Sequence, residues 1–359
     1  MLPGLSVVYD ALYTGELTYA ASQFDKLLAN HTYSYGVRSN GLVHVDGLGA
    51  LVDTSGGDDD GFQDSDYNAV VQAWSYLAMR RIAQLGRWIG RTADAAALDA
   101  TADALRAAVK SLMVNASAPA AAAVCDGLCS ATPHQSVHST FYNLYAGVFS
   151  DDDAMTTSVA GYVRARSVED PVKGIPCGSY PIQFLLAGLY MDGADHGNAA
   201  YGVLTAQTLH SYRHMMEFYG ATATMECWTP EELGNLSFSH VWSSSPAIII
   251  PQFFFGIMPT SPGFATFDVK PQPGPVLSGS ATAPTVRGDI TVAFEQTLPS
   301  GGCFDLNLVV PGGASARAFL PRYGATIAVK VDGAVVPSTV SGDYAYVVVG
   351  AGAHSLTSC

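Results

Sequence analysis

Charge is what this 359-residue sequence lacks most. Asp, Glu, Lys and Arg make up 13% of it against 48% apolar residues, where an average soluble domain carries roughly 25% charged residues. Such a chain can bury a large core and is not composed like a disordered one. Basic residues are the scarcer sign: 17 Lys and Arg face 31 Asp and Glu, a formal net charge of -14. That balance argues against a nucleic-acid partner, because phosphate binding needs clustered Lys and Arg. It suits a neutral or cationic substrate, or simple solubility.

Long hydrophobic runs are missing too. None reaches the roughly 18 uninterrupted apolar residues of a membrane span. The longest, Pro246–Met258, contains Pro251 and Gln252 and reads as a buried helix. Met1–Tyr13 has neither a basic start nor a small-residue cleavage site, so it does not read as a signal peptide; Met1 reads instead as a start inside a larger protein. The six cysteines, at 125, 129, 177, 227, 303 and 359, form no framework of zinc spacing, and no metal is expected. In an oxidising compartment Cys125 with Cys129, and Cys303 with Cys359, would close loops. Sequons at Asn30, Asn115 and Asn235 fit a secreted or lumenal protein, with chance occurrence the even alternative.

There is no Gly-rich phosphate loop, no nucleophile elbow and no Ser-His-Asp order, so no cofactor is implied. The acids Asp58–Asp60, Asp64 and Asp66 lack calcium-loop spacing and read as a solvated loop leading to a helix cap.

What is present falls into two periodicities. Up to about residue 260 the apolar spacing is helical. Val70, Ala73, Trp74, Leu77, Ala78, Ile82 and Leu85 recur at three and four, a helix that Asp64–Asp66 would cap, and Leu98, Leu105, Val109 and Leu112 repeat the pattern. Further helices are expected near 5–14, 16–29, 136–149, 152–166, 179–192, 198–219 and 243–257. Two connections are long, Tyr33–Asp64 and Ala116–Pro133, and such loops are usually functional or mobile. After Gly263 the period becomes two, over Phe264–Lys270, Ile290–Phe294, Phe304–Val310, Ala316–Leu320, Ile327–Val331 and Tyr344–Val349. Short alternating strands punctuated by turns indicate a β-sandwich. The expected fold is therefore mainly α: a helical-hairpin toroid over residues 1–262, then an antiparallel β-sandwich over 263–359.

The densest chemical constellation lies in 223–242. Glu226, one of only seven glutamates, sits among Trp228, Phe238 and Trp242, with His240 fourteen residues on. Sugars present apolar faces bounded by hydroxyls, so their sites combine aromatic rings with carboxylates. Glycoside hydrolysis ordinarily takes two carboxyl groups, one protonating the leaving oxygen and one activating water or attacking. Glu226 is the candidate for the second role; the plainer readings are a loop cap or an arginine pair. His240 would hold a water or a sugar hydroxyl, or be a satisfied structural histidine. Trp242, Trp228 and Tyr180 would be stacking platforms, or core. Glu231 and Glu232 read as solvent-facing acids, and His138 and His214 as core or surface of helices.

These residues resemble those of a family. Ser65–Arg87, His138–Asp152 and Cys177–Gly193 are similar to hairpin helices of α-L-rhamnosidases. Thr224–Phe264 is the most specific stretch, with Glu226-x-Trp228, Ser237-x-x-His240 and Gly256-Ile257-x-Pro259. Phe319–Arg322 and Gly352–Leu356 look like the family's C-terminal β-domain. The resemblance implies an (α/α)6 barrel, inverting removal of terminal L-rhamnose, Glu226 as general base and His240 in the sugar site. Inversion places the two carboxyls roughly 6.5–9.5 Å apart.

One departure matters. The family's general acid lies in an Asp-Glu-Arg-type segment near the start of the barrel, and this sequence has none. About nine helical segments stand against the twelve of a full barrel, so the barrel is expected to be incomplete and N-terminally truncated. Acid catalysis contributes about 10²–10⁴-fold, and the polypeptide alone is expected to be weakly active or inactive. Two other readings are a degenerate sugar-binding protein and a polysaccharide lyase. A lyase needs basic residues to neutralise a uronate, which this acidic chain supplies poorly.

Overall fold

The computed structural model describes residues 2–34, 36–45, 61–116, 121–168, 177–192, 200–202, 211–228, 237–297, 302–322 and 328–359. Contacts group them into two units. One comprises Met1–Val8, Tyr19–Asp192 and Gly202–Ser245, the other Tyr9–Thr18, Gly193–Tyr201 and Pro246–Cys359.

Seven helices of ten or more residues are described: α1 Leu2–Thr14, α2 Leu17–Ser34, α3 Ala69–Trp88, α4 Thr92–Leu112, α5 Val137–Ala146, α6 Asp153–Val168 and α7 Ile182–Asp192. In α3 the predicted stripe is the buried one, with Val70, Ala73, Leu77, Ala78, Ile82 and Leu85 all inside. Its cap differs from expectation. Asn68, not an aspartate, accepts from the amides of Val70 and Val71, and Asp64 accepts in turn from the Asn68 side chain at 2.7 Å. An amide can cap and still donate backwards, which a carboxylate cannot.

Helices α3 and α4 form a hairpin, and α5 packs on α3, α6 and α7. Across the hairpin, Asp99 accepts from Arg80 at 2.7 Å and Arg87 at 2.6 Å. Burial raises the Asp99 carboxyl, but the two guanidinium hydrogen bonds outweigh it and hold the carboxyl below its ordinary value. A lowered folded value means stability present above the unfolded pKa and lost as pH falls through the folded one. We therefore expect Asp99→Asn to flatten the loss of stability below about pH 4, read by urea unfolding across pH. An unchanged acid limb would show the pair to be inert.

The second long connection is ordered where it is described. Strands β1 (Val114–Asn115) and β2 (Ala123–Val124) pair antiparallel, and Cys125 is bonded to Cys129 as expected. Asp126, fully buried, accepts from the amides of Gln63 and Ser136 and the hydroxyl of Ser139, and lies 2.6 Å from His134 Nδ1. This carboxylate fastens the disulfide loop to the start of α5. The sequon Asn115 lies on β1, whereas Asn235 and the Asn30 side chain lie outside the described residues, as do Asp58–Asp60, Glu231 and Glu232. His138 is core and His214 exposed. Of the helix expected over 198–219, the described parts include 200–202 and Arg213–Glu217. No described helix is long and apolar enough to cross a membrane, and no described cluster suits a metal.

The apolar run 246–258 is not one buried helix. Ser245–Ile249 is helical, Ile250–Phe254 continues as a π-turn, and Ile257–Pro259 is already strand β3. Pro251 lacks the N–H that a regular turn needs, and a π-turn absorbs the break. Ile249, Phe254 and Phe255 are buried, but Ile248 and Ile250 are about two-fifths exposed. The reversal at Gly256 has φ +72°, and a Cβ there would fall 2.1 Å from the Lys270 carbonyl oxygen, so only glycine fits.

The remaining strands are β4 Thr266–Val269, β5 Ser278–Thr285, β6 Gly288–Gln296, β7 Phe304–Val310, β8 Ser315–Pro321, β9 Val329–Val331, β10 Ala334–Val335, β11 Thr339–Ser341, β12 Tyr344–Val349 and β13 Gly352–Ser358. They form sheets ordered β10-β9-β13-β7-β6-β5 and β11-β12-β8-β4-β3, antiparallel except for β4 beside β8. Inward residues such as Phe267, Phe294, Leu306, Leu308, Ala318 and Val347 are buried between them, alternating with outward ones. Tyr13 of α1 packs edge-on against Phe264 at 5.4 Å. Gly15 (φ +79°) and Gly263 (φ +59°) meet so closely that a Cβ on either would lie 3.1–3.2 Å from the other's Cα.

Cys303 and Cys359 are bonded across 56 residues, as the sequence suggested. A loop of that length restricts the unfolded chain by about 4 kcal/mol. Replacing both cysteines with serine should lower the stability of the sheet unit by about that much, measured by denaturant unfolding. A loss below about 1 kcal/mol would contradict the chain-entropy account.

Candidate active site

The site is built from two irregular segments that are hydrogen-bonded to each other in the helical unit. Residues 224–228 follow the helix Arg213–Glu217, and residues 237–240 precede a 3₁₀ turn, Val241–Ser243. The Glu226 amide donates to the Ser237 carbonyl at 3.0 Å, and the His240 amide donates to the Thr224 carbonyl at 2.7 Å. Thr224 Oγ1 adds a second link by donating to the His240 carbonyl at 2.9 Å. The segments are thus tied at both ends, and their side chains are held together.

Glu226 accepts on Oε2 from the Ser237 amide at 2.9 Å, and His240 Nδ1 stands 3.5 Å from the same oxygen. Both side chains are 28% exposed. Among the described residues no lysine or arginine pairs with Glu226, and the one backbone donor to its carboxylate is the Ser237 amide. A carboxylate so placed keeps lone pairs free to accept a proton from water, with an imidazole beside it to hold that water or a hydroxyl. A carboxylate in such a setting can act as a general base.

Aromatic rings flank the pair. His240 stacks on Trp242 at 4.0 Å with 22° between planes, and Trp242 meets Tyr180 at 5.1 Å. Tyr180 in turn meets Phe184, which adjoins Trp74 and Tyr145. Phe238 and Trp242 are exposed, at 52% and 36%. Trp228 is different: it is buried, donates through Nε1 to the Cys177 carbonyl at 3.0 Å and meets Tyr212 edge-on. Its ring supports the segment from within and offers little face to a ligand.

The bacterial alpha-L-rhamnosidase 6 hairpin glycosidase domain matches residues 20–253, and the bacterial alpha-L-rhamnosidase C-terminal domain matches residues 256–334. The chain belongs to the bacterial α-L-rhamnosidase family. No curated protein sequence matches it. Among solved structures, an α-L-rhamnosidase from Dictyoglumus thermophilum is similar with TM-score 0.73 at 16% identity, over 98% of this chain and 38% of that one. A Streptomyces avermitilis α-L-rhamnosidase complexed with L-rhamnose gives 0.70 at 20%, over 99% and 32%, and an Aspergillus terreus α-L-rhamnosidase 0.70 at 15%, over 98% and 38%. This rhamnosidase-family chain therefore spans about a third of the length of those proteins. The likeness establishes the helical six-hairpin and C-terminal sheet folds, and the hydrolase family sets the lyase reading aside.

Glu226, His240, Trp242 and Tyr180, picked from the sequence of this family member, come together in one cluster, with Trp228 behind it. Of the residues that hold the cluster, Ser237 stands in the motif quoted from the sequence, whereas Thr224, Ser179, Ser243 and Tyr212 are not among the candidate site residues. Only Ser237, in its fixed spacing to His240, carried a signal. Isolated serines and threonines in a Ser/Thr-rich chain have none.

Proposed function

We propose that the protein hydrolyses terminal α-L-rhamnosides with inversion, Glu226 serving as the general base. The helical residues 1–262 would be the catalytic part and 263–359 an attached β-domain. The observation that carries this reading is a partly exposed Glu226 carboxylate, fixed by the Ser237 amide and bordered by His240 at 3.5 Å. A base placed this way deprotonates a water on the face opposite the leaving group. His240 and the exposed edge of Trp242 would contact the sugar, with Tyr180 next to it and Trp228 beneath. Rhamnose as the sugar rests on family membership and on the neighbour that holds L-rhamnose.

The proposal assigns the general-acid role to no residue of 1–359, because the sequence has no Asp-Glu-Arg segment. That same observation favours the second reading, a protein that binds L-rhamnosides without turning them over. Incubating the chain with 4-nitrophenyl α-L-rhamnoside and following the sugar by proton NMR separates the two. Initial release of β-L-rhamnose supports an inverting hydrolase; α-L-rhamnose as first product would contradict it. L-Rhamnose binding without turnover would establish the second reading.

His240→Ala should raise KM about tenfold or more while lowering kcat less, the mark of a group that binds ground and transition states alike. A pure kcat loss would move His240 from sugar binding to the chemistry itself.

A further inference from the structure

The main chain of Glu226 rests on a column of buried hydroxyls that take no part in the reaction proposed above. We infer that Ser179 and Ser243 are positioning residues, whose hydroxyl relay fixes the Glu226 carboxylate against His240 for deprotonation of water. The inference rests on Glu226 being the base.

The relay is continuous. Ser179 Oγ donates to the Glu226 carbonyl at 2.6 Å, and Ser243 Oγ donates to Ser179 Oγ at 2.8 Å. The Tyr212 hydroxyl donates to the Ser243 carbonyl and lies 3.0 Å from Ser245 Oγ. Burial pushes the Tyr212 phenol up to about 12, so it stays a donor at any working pH. Ser179 is 2% exposed and Ser243 fully buried, so neither hydroxyl faces solvent.

The geometry gives the relay its purpose. Ser243 closes the turn that begins directly after His240, while Ser179 bonds the very residue that carries the carboxylate. One chain of hydrogen bonds therefore joins the backbone of both site segments from behind. The Trp228 indole N–H on the Cys177 carbonyl ties the Glu226 stretch to the Ser179 stretch a second time, two residues along from each. Removing the Ser179 hydroxyl takes from the Glu226 carbonyl its described side-chain donor and loosens the segment at that point. A displacement of an ångström at a reacting group can cost about a hundredfold in rate, a cost that falls on proton transfer to Glu226 more than on the sugar contacts proposed for His240 and Trp242.

The expected result for Ser179→Ala is a kcat lower by about 10–100-fold with KM changed less than about threefold. Ser243→Ala should do the same, and the double variant should be little worse than either, because one relay is broken only once. The measurement is kcat and KM on a fluorogenic aryl α-L-rhamnoside, per folded molecule counted by circular dichroism, with Glu226→Gln as the background. If the Ser179→Ala chain fails to fold, Ser243→Ala gives the same readout one hydroxyl further back. A lower melting temperature with unchanged kcat overturns the positioning role, and so do multiplicative losses in the double variant. Wild type no faster than Glu226→Gln overturns the base assignment first, and the relay with it.

Discussion

Glu226→Gln should reduce hydrolysis of an aryl α-L-rhamnoside by about 10²–10⁴-fold, equivalent to about 3–5 kcal/mol of transition-state stabilisation. The change is nearly isosteric. The amide oxygen can still accept from the Ser237 N–H, and no described lysine or arginine depends on the lost charge. Stability should therefore move by no more than about 0.5 kcal/mol, so that activity and folding separate cleanly. KM should hold, because the carboxylate acts on water and not on the sugar. A variant that keeps near wild-type turnover would remove the central assignment, and one that unfolds would make Glu226 a structural residue of its loop.

A second large effect concerns the leaving group. If no residue of 1–359 donates a proton to the departing oxygen, the rate must depend on how well that oxygen leaves as an anion. A nitrophenolate leaves without a proton; a sugar or alkyl alkoxide does not. The 359-residue chain should then cleave nitrophenyl rhamnoside far faster than a rhamnosyl disaccharide, by about 10²–10⁴-fold. Parallel initial rates on the two substrates decide it. Comparable rates would mean that a residue in this chain is the acid after all.

Much of the fold was legible because burial and periodicity coincide. The α3 stripe and the alternation of β7 are set by large apolar residues facing one way, and both lie where the spacing put them. Strand β5, Ser278–Thr285, was invisible because it is built of Ser, Gly, Ala, Thr and Pro and sits at a sheet edge, half in solvent. There an edge strand needs no apolar face, and Pro284 is tolerated. Strand β13 hid for another reason: only Leu356 fills its inner face with a large apolar side chain.

The candidate site was half legible. Carboxylate, imidazole and indoles advertise chemistry by type, so Glu226, His240 and Trp242 could be picked. Sequence could not tell that Trp228 turns inward while Trp242 stays partly exposed, since residue type and nearness to Glu226 are alike for both. Nor could it find Ser179, whose part depends on a partner 47 residues away.

The bare backbone contact between Gly15 and Gly263, with Tyr13 lying over Phe264, sets a practical limit on how the chain can be cut. A fragment begun at residue 263, where the periodicity changes, would leave the ring of Phe264 wet and its neighbour glycine facing nothing. Autonomous folding of the sheets is better sought by carrying residues 9–18 along, tethered ahead of 246 by a flexible linker.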